Sequence, residues 1–249
     1  MVASGPGEIQ AMSIDHYSVS SVTTAMGCPR QWWCKYQLKM DAPAGEAASF
    51  GSQFDQMVSK RLGCKIHKDD KPGSPVEGVE EAVAGYLSQP WAMKSATDAQ
   101  MPINISPGQW GVIAEMNGLY SEIQRPIIGF IDLFDAANRV VVDLKTSSSK
   151  RTSENWALQV LIYSIAKQAS EAKIHLMTRT KVPAYYEFMI PINPRSTKWA
   201  VQLMSYWIAN IERWLKDGAG DELPRTPGFY CSWCPEALEC PAQSLILGG

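Results

Sequence analysis

The chain has no apolar run approaching the roughly 18 residues that span a bilayer, so a membrane helix is excluded on length alone. It has no Gly-x-x-x-x-Gly-Lys-[Ser/Thr] phosphate loop, which excludes an ATP motor of that kind. No internal repeat and no low-complexity tract appears, so solenoids and propellers are excluded too. Histidine is scarce: His16, His67 and His175 match no ligand spacing. There is no positive excess either, with a formal net charge of −2 and a sequence pI of about 6.0. A nucleic-acid partner would therefore have to meet a local basic groove and not a global positive field. The first residues, Met1 to Glu8, carry neither a charged n-region nor an apolar h-region, so an intracellular, cytoplasmic protein with no membrane association is expected.

What is present suffices for one large core. With 249 residues and 45% hydrophobic content, the chain is expected to form a single domain over 1–249, or one domain with an inserted helical lobe. The organising stretch runs from Ile127 to Tyr163 and reads as a hairpin followed by a helix. Two β-rich runs, 127–134 and 140–144, flank an Asp/Ala/Asn turn. Strand side chains alternate with a period of two, so Asp143 and Lys145 share one face. A two- or four-residue connection centred on Ala137 and Asn138 would set Asp132 opposite Asp143 on that face. Two carboxylates and a lysine together suit a hard divalent cation beside an anionic phosphate. The plainer reading is a surface ion-pair ladder, which a lone Asp-x-Lys would favour.

Taken in order, Gly129-x-x-Asp132, Asp143-x-Lys145 and Gln159-x-x-x-Tyr163 resemble the PD-(D/E)XK nuclease superfamily, and within it the RecB-like, CRISPR-adaptation-nuclease-like branch. The resemblance implies an α/β, restriction-endonuclease-like core, a mixed central sheet flanked by helices. It also implies a metal-dependent DNA nuclease using Mg²⁺ or Mn²⁺, an exonuclease on ends or single strands. Asp132 and Asp143 would be metal ligands together with the main-chain carbonyl of Leu144. Lys145 would orient or activate the attacking water, and Gln159 and Tyr163 would face DNA. The implied partners are single-stranded DNA or duplex ends, with a homo-oligomer or a recombination or helicase protein as company. The chain departs from the pattern at Asp55, where the branch has a histidine four positions after the glycine matched by Gly51. A carboxylate serves Mg²⁺ or Mn²⁺ at least as well as imidazole, so Asp55 is a third candidate ligand, the alternative being an ordinary solvated aspartate. A non-catalytic DNA-binding module of the same fold, or a zinc-stapled adaptor between proteins, would account for parts of the same pattern.

Cysteine supplies a second constellation. Cys231, Cys234 and Cys240 have the spacing Cys-x2-Cys-x5-Cys, which suits a metal or a cluster in a reducing compartment. Zinc and iron–sulfur are equally compatible with that spacing. Cys28-Pro-Arg-Gln-Trp-Trp resembles the N-terminal half of the RecB-like iron–sulfur signature, which implies Cys28 as fourth ligand of a [4Fe–4S] cluster. Closing a loop of about 200 residues costs roughly 4 to 5 kcal/mol, while a structural thiolate site contributes on the order of 10 kcal/mol. Such a site could staple the two ends of the domain. Cys34 and Cys64 are expected to be buried small apolar residues.

The remaining expectations follow the chain. Residues 14–43 should hold an N-terminal helix, with Ser20 or Ser21 as cap, continuing past Pro29. Residues 44–62 should form a helix carrying Asp55, and 64–107 an inserted helical lobe with a short helix at 79–87 and a basic cluster at Lys65, Lys68 and Lys71. The catalytic core should run over 108–192. In it 111–119 is expected as the first strand, carrying Glu115, and Ser153 should cap a helix over 154–169. Strands at 173–178 and 185–190, a long helix at 197–215 and a cysteine cap at 224–241 complete the chain.

Overall fold

A computed structural model describes residues 14–41, 45–68, 74–228, 231 and 234–241. The expected Ala44 helix start, Lys71 and the leader before Ile14 lie outside the described residues. A seven-stranded mixed sheet runs in the order β2-β3-β4-β5-β6-β7, with β1 paired to β4 off that path. Its strands are β1 (Tyr17–Ser18), β2 (Lys65–Ile66), β3 (Asp98–Ile105), β4 (Ile127–Asp135), β5 (Val140–Ser147), β6 (Glu171–Thr178) and β7 (Tyr185–Ile190). Parallel β5 and β6 are joined by helix α6 (Glu154–Lys167), as a parallel pair needs a crossover.

Both faces of the sheet are covered. On one face, α1 (Val19–Gly27), α5 (Pro107–Met116), α6 and α7 (Pro194–Asp217) bury Trp110, Ile131, Phe134, Val141, Leu158 and Ile174. On the other, α3 (Glu46–Leu62) and α4 (Val79–Leu87) bury Phe54, Val58, Tyr86, Leu133, Val142 and Leu144. Neighbours in β5 thus alternate between two cores, the period-two pattern of a strand buried on both sides, whereas in β4 Ile131 and Leu133, two positions apart, lie in different cores on either side of Asp132. The fold is the mixed α/β sheet flanked by helices that the sequence leads one to expect.

Several elements differ from expectation. Residues 111–119 are not a strand. Ser106 and Gln109 form a capping box, Pro107 opens the first turn, and α5 buries Trp110 and Ala114 four positions apart. Glu115 is exposed on that helix and takes no part in the hairpin. Residues 64–107, expected as a helical lobe, also supply β2 and β3, and β3 pairs with β4 along its length. Helix α1 is capped by Ser18, not Ser20 or Ser21; Ser21 instead completes the capping box from inside the helix. The chain breaks at Cys28, which is extended, before the short helix α2 (Pro29–Trp32) and a π-helical turn, Trp33–Gln37. Among the described residues no helix is long and apolar enough to cross a membrane.

Candidate active site

The site begins as a fault in the sheet. A strand has two edges, and β3 occupies one edge of β4 from Asp98↔Phe134 to Ile105↔Ile127. The other edge is shared. β5 pairs with it only at Leu133↔Val142, Phe134↔Val141 and Asp135↔Val140, and β1 only at Tyr17↔Ile127 and Ser18↔Ile128. Gly129 to Asp132 have no ladder partner on that edge, because β5 turns away to pair with β6. Local chemistry sets this fork. In the four-residue turn 136–139, Asp135 accepts hydrogen bonds from Asn138 N (2.9 Å) and Nδ2 (2.7 Å). The register so set, continued one step, puts Asp132 opposite Asp143.

Where the ladder stops, side chains take over. Asp132 Oδ2 accepts the Leu144 N–H at 2.8 Å, standing in for the missing strand carbonyl. Its Oδ1 accepts from Gln100 Nε2 at 3.2 Å. Gln100 sits in β3 with φ 51°, a left-handed kink within a strand. Asp143 is 1% exposed, and Lys145 Nζ lies 2.7 Å from its Oδ2. That contact is an ion pair without hydrogen-bond alignment, so both Asp143 carboxylate oxygens are buried with no aligned donor. From the facing helix α3, Asp55 completes an acidic group whose charges act on one another. Gly51, one turn earlier, allows α3 to approach β5: a Cβ there would meet Thr146 Oγ1 at 3.2 Å.

An open cleft of about 380 Å³ exposes part of this group, lined by Asp55, Lys68, Gln100, Asp132, Leu144 and Lys145 among others. Asp143, 1% exposed, is not among the residues that line it. Burial, reinforced by the charge of Asp132 and opposed by Lys145, holds the Asp55 carboxyl well above the usual range. Burial likewise pushes Asp143 up to about 7, with Lys145 opposing and Asp132 adding to the shift. Burial pulls the Lys145 ammonium down, yet Asp143 and Asp132 together hold it above its ordinary value. A cation entering the cleft would relieve the crowded carboxylates. As they stand, no three His, Cys, Asp or Glu side chains among the described residues are arranged to hold a metal. The buried carboxylate of Asp143, paired with Lys145 yet crowded by Asp132, is nonetheless the kind of group that an ion satisfies, and the all-oxygen donor set fits Mg²⁺ or Mn²⁺.

Gln159 and Tyr163 stand behind the fork on α6, where Gln159 Nε2 donates to Tyr163 Oη at 3.1 Å. Tyr163 is 5% exposed, and its ring lies against Gly129, where a Cβ would meet it at 2.8–3.1 Å. Gly129 therefore belongs with Tyr163 because no other residue leaves room for the ring. Burial, then the charge of Asp143, pushes the Tyr163 hydroxyl up to about 12. Sequence reasoning missed Gln100 altogether, since nothing local marks a left-handed residue in a strand. Lys68 carried a signal only as one member of a basic loop.

The cysteine constellation forms at the other end of the core. Cys28, Cys231, Cys234 and Cys240 line one pocket with Arg30, Arg225 and Glu236. Arg30, 7% exposed, ties the ends together: it donates to Gly220 O (2.7 Å), Asp221 Oδ1 (2.7 Å) and the Glu236 carboxylate through Nε (2.9 Å). The soft four-thiol donor set fits zinc or an iron–sulfur cluster. Cys34 is fully buried beside the pocket, its thiol pushed up to about 11 by burial, and Cys64 is half-buried against Ala96 O.

A family model described as the PD-(D/E)XK nuclease superfamily matches residues 16–241. Among solved structures, the chain is similar to a "Putative exonuclease" of Eubacterium rectale, with TM-score 0.59 and 14% identity over 93% of this chain and 92% of that one. At that identity the likeness concerns the fold. A weaker likeness, to the structure called SSO0001, has TM-score 0.44 and 16% identity over 94% and 89% of the two chains. No curated protein matches.

Proposed function

The chain belongs to the PD-(D/E)XK nuclease superfamily, and from that premise we propose that it is a metal-dependent deoxyribonuclease, an exonuclease that hydrolyses phosphodiester bonds at DNA ends or in single strands. Nucleases of this family generally use Mg²⁺ or Mn²⁺. The observation that carries the proposal is the Asp143 carboxylate, buried without an aligned donor beside Asp132 at a gap in the sheet. Asp132, Asp143, the Leu144 carbonyl and Asp55 would hold the ion. Bound there, it would supply Lewis acidity toward the phosphate and lower the pKa of the nucleophilic water. The chain's own groups do the rest. Lys145 Nζ, kept cationic by Asp143 and Asp132, donates toward the attacking water and the charge that develops on phosphate. Gln100 fixes Asp132, and Asp132 fixes the Leu144 N–H, so the Leu144 carbonyl is oriented by the same fork. Gln159 would reach the DNA, held from behind by buried Tyr163. The choice of exonuclease rests on the sequence resemblance to the RecB-like branch.

The cysteine pocket is assigned, within the same proposal, to a [4Fe–4S] cluster held by Cys28, Cys231, Cys234 and Cys240, zinc being the competing occupant. Anaerobically purified protein should then be brown, with broad absorption near about 400 nm, where zinc sites are silent. Colourless protein with stoichiometric zinc would replace the cluster by zinc.

The experiment for the activity is incubation of the protein with end-labelled single-stranded and duplex DNA, with Mn²⁺ or with EDTA. Mononucleotide release that requires Mn²⁺ and falls by about 10³ in Lys145→Ala is expected. DNA retention without cleavage would favour a non-catalytic binding module, a reading that the aspartate at position 55 keeps in view.

A further inference from the structure

We propose that the loops beyond β5 and β6 form, with Tyr186, a binding platform for single-stranded nucleic acid leading away from the cleft. The proposal rests on the nuclease reading above and names the strand that the cleft would receive. Although the whole chain carries a net charge of −2, residues 144–153 and 178–186 contain Lys145, Lys150, Arg151, Arg179 and Lys181 and no carboxylate. The first acid after that run is Glu154, in the opening turn of α6. The two loops are neighbours, since Ser147 pairs with Thr178 and the Arg179 N–H donates to Ser147 O at 2.6 Å. Lys150, Arg151 and Lys181 are exposed.

Register ties this patch to the site. Lys145 pairs with Leu176 and Leu176 with Tyr186, so the three lie in one row across β5, β6 and β7 and on one face. Two strand spacings, roughly 10 Å, separate Lys145 from Tyr186. The neighbouring Glu187 points to the opposite face, where it meets His175 Nε2 at 3.3 Å and Lys173 Nζ at 3.5 Å. Tyr186 is half-buried, and Lys150 Nζ sits 4.4 Å from its ring centroid. An exposed cation–π contact of this kind is weak enough to yield to a competing anion. Lys150 then moves to a backbone phosphate and uncovers the ring for a base. Cations that track the backbone beside an aromatic ring suit unpaired bases, because a base inside a duplex has no free face.

The test is fluorescence anisotropy with a labelled thymidine oligomer of about 15 nucleotides and with a blunt duplex, in EDTA, alongside Mn²⁺-dependent cleavage by the wild type. The triple variant Lys150→Ala, Arg151→Ala, Lys181→Ala changes exposed side chains only, and it should lower the log–log salt slope for the oligomer by about 2, at about 0.7 per phosphate contact. Tyr186→Leu keeps apolar packing and should weaken oligomer binding about tenfold, with duplex affinity within about twofold. Unchanged oligomer affinity and salt slope, equal losses on duplex, or no oligomer binding by the wild type would each overturn the platform. If the wild type cleaves while the variants bind normally, the platform fails and the nuclease reading stands. If the wild type does not cleave while the variants lose single-strand affinity, the nuclease reading fails and the platform stands.

Discussion

The acidic fork and the cysteine pocket are both chemical constellations, but they are held in opposite ways. Asp132 and Asp143 sit on strands whose register comes from backbone ladders and from a turn closed by Asp135, and Asp55 sits on a helix of 17 residues. The cysteines sit where regular structure ends. Cys28 occupies a break between helices, and Cys231, Cys234 and Cys240 lie around short turns such as Ala237–Glu239. Backbone ladders and a closed turn hold one region, while Arg30 and its carboxylate and carbonyl partners hold the other. On the proposed reading, a ligand at the fork would serve chemistry and a ligand at the cysteines cohesion. Removing either should give a different phenotype.

The largest separation is expected from Cys28→Ala. If the thiolate site staples the ends, losing one ligand removes a large part of a contribution on the order of 10 kcal/mol. The melting temperature should fall by more than about 10 °C, together with loss of the chromophore. A fall of under about 3 °C would erase the contrast between the two regions. Next comes Asp143→Asn at the fork, where cleavage should fall by about 10³ while the melting temperature in EDTA stays within about 3 °C. An unfolded Asp143→Asn variant would mean that the fork, too, is cohesive.

Gly129→Ala probes the wall between fork and α6. A Cβ at 2.8–3.1 Å from the Tyr163 ring forces a shift, at about 1–3 kcal/mol. Tyr163→Ala in the same chain should relieve that added cost, and a double-mutant cycle of thermal melts would measure the coupling. An additive cycle would show that ring and glycine do not meet.

A comparable effect belongs to a control outside both regions. His175 is 1% exposed, bonded to Tyr86 Oη at 2.9 Å, and burial, with the Lys173 charge, lowers its pKa to about 3. A base whose folded pKa lies below its unfolded value of about 6.5 binds fewer protons when folded. Stability is then fully present above about pH 6.5 and is lost as pH falls toward about 3. Between pH 7 and pH 5 the loss from this residue should be about 2 kcal/mol. Urea melts should show that slope disappear in His175→Gln, and a slope that persists would assign it to other groups.

Much of this was written locally. Two β-rich runs around an Asp/Ala/Asn turn define the hairpin, and the period of two carries Asp143 and Lys145 to one face. Ser153 caps α6 as its position before the apolar periodicity requires, and the i, i+4 spacing of Gln159 and Tyr163 becomes a hydrogen bond. Strand β7 and helix α4 begin and end where their patterns do. Residues 106–109 also carried a legible signal, a Ser-Pro-Gly-Gln capping box, which outweighs the apolar content that made 111–119 resemble a strand. These features depend on neighbours within about one turn or one hairpin, and that is the range over which sequence periodicity and capping act.

The tertiary structure decided the rest. The gap on β4 exists because β1, from the start of the chain, and β5, from its middle, each take only part of one edge. Gln100 reaches Asp132 from a left-handed residue 32 positions away, and Arg30 bridges to Glu236 across 206. The row that runs from Lys145 through Leu176 to Tyr186 appears only once three strands are in register. Each depends on which strand edges meet, and that is set by burying two hydrophobic layers at once, a global condition that no single stretch of residues encodes.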